Sequence, residues 1–242
     1  MYQTSFRLFK ALLSYVAIAV VGEILLVIAQ EKFPIGSGHI FVSVLIWSYL
    51  AFNAHAELLL PKNRDKTADN MRILGFALRT FGIGVIFAIP AVILVFPFIG
   101  RLLDAVTWSQ VLATWGIIGL ALAACFVIVF SLFGSLLPAF VADRARGLGP
   151  ALARGWRQFF WTASRLIAGP VVTFALAYVV ILGGSIYMDP HTDLLNAIYI
   201  PNVPMFAILI LGYLIQALGT IMVAVVLSNA FLRAGSGEVA QT

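Results

Sequence analysis

A chain of 242 residues in which 62% are hydrophobic and only 10% charged is too apolar for a soluble domain, whose charged share would be about 25%. The composition is that of an integral membrane protein. Its formal net charge of +5 speaks for anionic lipid headgroups rather than nucleic acid, because the cations cluster beside apolar runs.

Crossing about 30 Å of hydrocarbon takes about 20 helical residues. In chain order the qualifying runs are approximately 9–29, 40–60, 80–99, 111–133, 166–186 and 205–231, which predicts an all-α polytopic fold, a single domain over 1–242 with six transmembrane helices. The first run contains Glu23 and is followed by no clear small-residue cleavage site, so it is expected to remain in the protein rather than to be removed as a signal. Cys125 lies inside the fourth run, cannot form an internal disulfide and is read as a packing residue.

The flanks predict orientation. Of 15 Lys and Arg, only Lys32 and Arg101 fall on one side of the six runs. Arg7, Lys10, Lys62, Arg64, Lys66, Arg72, Arg79, Arg144, Arg146, Arg154, Arg157, Arg165 and Arg233 all fall on the other. Both termini are therefore expected in the cytoplasm, with short outer connections, the last of which holds Asp189, His191 and Asp193. Pro90 and Pro97 in the third run, Pro138 after the fourth and Pro170 early in the fifth each remove an amide donor and are expected to kink or end a helix. Gly84 with Ala88, and Gly119 with Ala123, are small pairs that would let neighbouring helices approach.

Residues 148–165 follow neither a spanning nor a loop pattern. On a helical wheel Leu152, Trp156, Phe159, Phe160 and Ala163 share a narrow arc, Arg154, Arg157, Gln158 and Arg165 lie opposite, and Pro150 is placed near the helix start. The expected element is an interfacial helix, aromatics in the headgroup boundary and arginines toward phosphates. Residues 66–79 repeat the pattern more weakly with Ile73, Leu74, Ala77 and Leu78 beside Arg72 and Arg79. The turns Leu59-Leu60-Pro61 and Leu136-Leu137-Pro138 would then mark an internal duplication.

The run Phe133-Gly134-Ser135-Leu136-Leu137-Pro138-Ala139, then Ala151-Leu152-Ala153-Arg154-Gly155-Trp156, then Phe159-Phe160-Trp161 leading to Leu166 resembles a pattern of YciC-type inner-membrane proteins. The same pattern occurs in the membrane domain attached to some glycerophosphoryl diester phosphodiesterases. The resemblance covers residues 130–175 specifically and the six-span layout loosely. It implies a bacterial inner-membrane, all-helical protein with interfacial helices. This sequence carries no phosphodiesterase domain, so hydrolase activity is not implied.

Ionisable groups inside a span cost about 2.5 to 3.5 kcal/mol on insertion scales and each needs a reason. Glu23 lies in the outer half of the first run, where it is either a proton or cation site or a hydrogen-bonded packing contact to a Tyr or Gln216. Glu57 near the inner end of the second run is placed to pair with Arg79 of the third, while His55 points to a different face. His39 and His55 stand 16 residues apart, about 24 Å along a helix, so they cannot ligate one haem iron. No Walker loop, nucleophile elbow or zinc-protease spacing occurs, and neither a cofactor nor an enzymatic activity is expected. Two functions are expected. The first is a scaffold, accessory subunit or membrane-organising factor in contact with anionic lipid and with a protein partner or larger membrane complex. The alternative is a transporter or lipid-handling protein using the kinked third and fourth spans with Glu23 or Glu57.

Overall fold

The computed structural model describes residues 1–33, 36, 38–61, 66–103, 107–144, 147–187 and 202–239. Among the described residues the chain is helical with no strand. Ten helices follow in order: α1 (Tyr2–Ala11), α2 (Leu13–Lys32), α3 (Gly38–Leu59), α4 (Lys66–Leu103), α5 (Trp108–Phe133), α6 (Leu136–Val141), α7 (Leu148–Arg157), α8 (Phe159–Leu166), α9 (Val172–Tyr187) and α10 (Val203–Val239). A single π turn, Ile167–Val171, joins α8 to α9. Lys62, Arg64, Arg146, Asp189, His191 and Asp193 lie outside the described residues.

Among the described residues six stretches are long and apolar enough to cross a membrane: Leu13–Lys32, Gly38–Leu59, Arg72–Gly100, Ser109–Val141, Phe159–Gly184 and Val203–Gly235. Each overlaps one expected run. The all-α, six-span architecture follows.

The core is organised on α10. Half of its most apolar window is buried, against 11% for α4. One cluster joins Leu8, Leu12, Val16, Val20 and Leu50 to Ala217, Ile221 and Val225 of α10; another joins Phe52, Phe76, Leu136, Phe140 and Leu166 to Val223, Val226 and Leu227 of α10. Opposite faces of one helix thus bury two separate seams. Helix α9 packs closely on α10 as well, since a Cβ on Gly212 would lie 2.3 Å from Ile181 and one on Gly219 2.7 Å from Phe174, both on α9.

Breaks in the helices have local causes. Between α5 and α6 the chain tightens, with the Leu137 amide donating to the Gly134 carbonyl at 3.1 Å, because Pro138 offers no N–H at the position where an α turn needs one. Pro170 likewise has no amide for the preceding turn, and the backbone widens into the π turn. The carbonyls there find other donors: Thr173 Oγ1 donates to Gly169 at 2.8 Å, and Tyr2 Oη donates to Ala168 at 2.5 Å. Through that bond α1 is fixed across the arginine-rich end of the bundle.

Several expectations are corrected. Of the two outcomes expected at Pro90 and Pro97, a kink or an end, the end does not occur, and α4 continues through both. Residues 66–79 are not a separate interfacial helix but the first turns of α4. The duplication fails at its second turn, because Pro61 follows the end of α3 whereas Pro138 sits inside α6. Gly84 and Gly119 do not mediate close packing, since a Cβ on either would meet nothing within 4 Å. The first span is preceded by a distinct helix, α1, which buries Ser5 and Leu8 and exposes Tyr2, Phe6, Arg7 and Lys10.

Candidate functional site

The segment expected as one interfacial helix over 148–165 is two. The chain leaves helical geometry at Gln158 (φ −107°, ψ 10°), and α8 is continuous through the π turn with the fifth span. The break lets the two halves meet different surroundings. Helix α7 lies across the end of α5 at backbone distance: a Cβ on Gly155 would sit 2.0 Å from the Leu132 carbonyl oxygen, and Ser135 Oγ donates to the Ala151 carbonyl at 3.1 Å. Small or absent side chains at 151 and 155 are therefore steric requirements. These are residues of the run that carries the family resemblance.

The outward face of α7 and the start of α8 is apolar. Leu148, Leu152, Trp156 and Phe160 follow at i+4 spacing, all exposed, with Trp156 at 73% and Phe160 at 85%. Phe159 turns partly inward and stacks edge-on with Phe160, ring centroids 5.5 Å apart. Ala163, placed on the same arc by the helical wheel, is instead buried, because the wheel assumed an unbroken helix.

The arginines divide. Arg157 is exposed. Arg154 is half-buried with its guanidinium carbon 5.4 Å from the Phe231 ring centroid. Arg165 lies 4.4 Å from the centroid of Trp161, and Arg233 of α10 lies 4.5 Å from the same ring. Sequence reasoning placed Arg154 and Arg165 toward phosphates; in the fold each of them lies beside an aromatic ring. It also missed Trp161 and Arg233, which are brought together only by α8 packing on α10.

A second arginine pair grips α6. Arg72 donates to the carbonyls of Phe140 at 2.7 Å and Val141 at 3.2 Å, and meets Asp143 at 3.2 Å. Arg79 donates to the Gly75 carbonyl at 2.8 Å and lies 4.1 Å from the Phe140 centroid. Two arginines seven residues apart on α4 thus bracket Phe140, and Arg72 caps the negative end of a short helix. Asp143 is the turn residue there, with φ 55°. Glu57 is exposed near the end of α3.

The intramembrane polar groups sit in packed surroundings. Glu23, 6% exposed, lies in the seam of α2 between Val20 and Ile24 and accepts from Ser43 Oγ of α3 at 2.6 Å. Ser43 was not anticipated, yet the hairpin register points to it: 23 and 43 are equally far from residue 33, at the end of α2. His55, 1% exposed, places Nδ1 2.8 Å from Ser228 Oγ of α10 and its ring 5.8 Å from that of Phe76. Cys125 is buried and free. Among the described residues no three His, Cys, Asp or Glu gather as a metal site.

Chemically, the arrangement offers an apolar, aromatic face beside guanidinium groups at one end of a helical bundle. It suits an amphiphile better than a water-soluble substrate. No family model, no curated protein and no solved structure matches the chain.

Proposed function

We propose that this is a non-enzymatic multi-pass protein of a bacterial inner membrane, with both termini and the arginine-rich end in the cytoplasm. It acts by contact, as a scaffold, accessory subunit or membrane-organising factor that holds anionic lipid. One observation carries the reading: the exposed Leu148, Leu152, Trp156, Phe160 stripe runs along α7 into α8 next to exposed Arg157. Aromatic side chains at headgroup depth with cations beside them are the composition of an element lying in the interface. The second support is the closed surroundings of Glu23 and His55, each hydrogen-bonded across helices as packing residues are.

The test is purification of the full chain in mild detergent with its native lipid, followed by identification of co-purifying lipids and proteins. Enrichment of anionic phospholipid over the bulk membrane, lost when Trp156 and Phe160 are both replaced by Ala, is the expected result. Solute flux in proteoliposomes that is abolished by Glu23→Gln would overturn the reading in favour of a transporter.

A further inference from the structure

The last turns of α10 gather arginines from elsewhere in the chain. Arg165 and Arg233 lie 4.4 and 4.5 Å from the centroid of the single Trp161 ring. Arg154 stands 5.4 Å from Phe231, and an Arg144 nitrogen comes within 3.5 Å of the position a Cβ on Gly235 would take. Guanidinium groups from α7, α8, α10 and the link before α7 thus meet around residues 231–235. Both guanidinium groups bring positive charge to the one indole. Stacking occupies the face of a guanidinium, while its N–H donors lie in its plane and project past the ring. A phosphodiester presents two oxygens in the spacing that such a fork accepts.

The surroundings select the source of that phosphate. Phe160 immediately precedes Trp161, and from it exposed apolar residues continue through Ile167, Val172, Leu176 and Val179 toward the middle of the fifth span. A cationic head over an apolar track fits a phosphate carrying acyl chains.

We propose that Arg165 and Arg233, stacked about Trp161, form the headgroup site of one anionic phospholipid whose chains lie along α8 and α9, with Arg154 and Arg144 as flanking charge. The proposal rests on the contact function above and narrows it. It moves the phosphate contact away from Arg157, which is exposed on α7, to a joint between α8 and α10.

The experiment uses the full chain in nanodiscs of phosphatidylcholine containing a titrated fraction of phosphatidylglycerol, with retained lipid counted by native mass spectrometry. Arg165→Gln/Arg233→Gln is expected to weaken phosphatidylglycerol retention on the order of thirtyfold, and either single substitution about fivefold. The single variants keep the test open where the double variant does not fold. Arg157→Gln is expected to retain lipid as the unsubstituted protein does, and millimolar inorganic phosphate to leave the count unchanged. Unchanged retention in the double variant, or in both single variants, overturns the site. Displacement of the lipid by inorganic phosphate also overturns it, in favour of a soluble-anion site. Loss of lipid in Arg157→Gln alone would sink the Trp161 site and leave the contact function standing. Equal retention of zwitterionic and anionic lipid by every variant would sink both.

Discussion

Replacing Gly155 by Ala tests whether α7 is held to the membrane-spanning bundle by backbone contact. The added methyl would lie 2.0 Å from the Leu132 oxygen, 2.6 Å from its carbonyl carbon and 2.7 Å from its Cα, all backbone atoms of α5 that cannot rotate away. Ordinary contact begins near 3.4 Å, so α7 must withdraw by more than an ångström. That movement breaks the 3.1 Å bond from Ser135 Oγ to the Ala151 carbonyl and uncovers Ala151, which is fully buried. Overpacking of this kind costs about 1 to 3 kcal/mol and the lost buried hydrogen bond about 1 kcal/mol more, giving roughly 2 to 4 kcal/mol in total. Gly149→Ala in the same helix is the control, because a Cβ there meets nothing within 4 Å. Helix propensity alone would make it neutral or stabilising by up to about 1 kcal/mol. The assay is the thermal midpoint of the purified protein in detergent, followed by its monodisperse elution, together with protease sensitivity of the 144–158 stretch. A Gly155→Ala protein as stable as Gly149→Ala would refute the packing of α7 on α5.

Substitutions at three other joints test them separately. Arg72→Gln removes the cap on the Phe140 and Val141 carbonyls and is expected to cost about 2 kcal/mol, read as a lowered thermal midpoint, with little of it from the exposed Asp143 pair; an unchanged midpoint would deny that Arg72 holds α6. Ser228→Ala leaves His55 Nδ1 without its partner in a fully buried position and is expected to destabilise by about 1 to 3 kcal/mol, whereas Ser164→Ala at an exposed position serves as the neutral reference in the same assay. Glu23→Gln keeps an acceptor for Ser43 Oγ and is expected to change stability by less than about 1 kcal/mol, while Glu23→Leu leaves Ser43 unsatisfied and lowers the midpoint further; a loss with Gln as large as that with Leu would show that the negative charge itself is required.

The spans were legible because a bilayer imposes length and apolarity on them directly, and the apolar runs centred near 50, 90 and 175 needed no partner to be seen. The 148–165 stripe was legible as amphipathic, but its break at Gln158 was not: the pattern around Trp156 continues smoothly on a wheel, and only packing of Ala163 and Leu166 inside the protein reveals that α8 has joined a span. Arg72 illustrates a different limit. In sequence it is one more cation setting orientation, and its role at the end of α6 depends on Phe140, 68 residues away. The Trp161 ring with Arg165 was visible as an i, i+4 pair, whereas Arg233 reaches it from the other end of the chain. Gly155 carried the clearest hint that was not used, since a glycine inside a strongly amphipathic helix costs about 1 kcal/mol relative to Ala unless close approach requires it.

The central claim is that the arginine-rich end of the six-span bundle faces the cytoplasm. It is tested most directly by single cysteines introduced at Arg64, Arg146 and Asp193 in a Cys125→Ala background, labelled in intact cells with a membrane-impermeant maleimide. Labelling at 193 alone, with 64 and 146 reacting only after the membrane is opened, is the predicted pattern. Ready labelling at 64 and 146 in intact cells, with 193 protected, would contradict it.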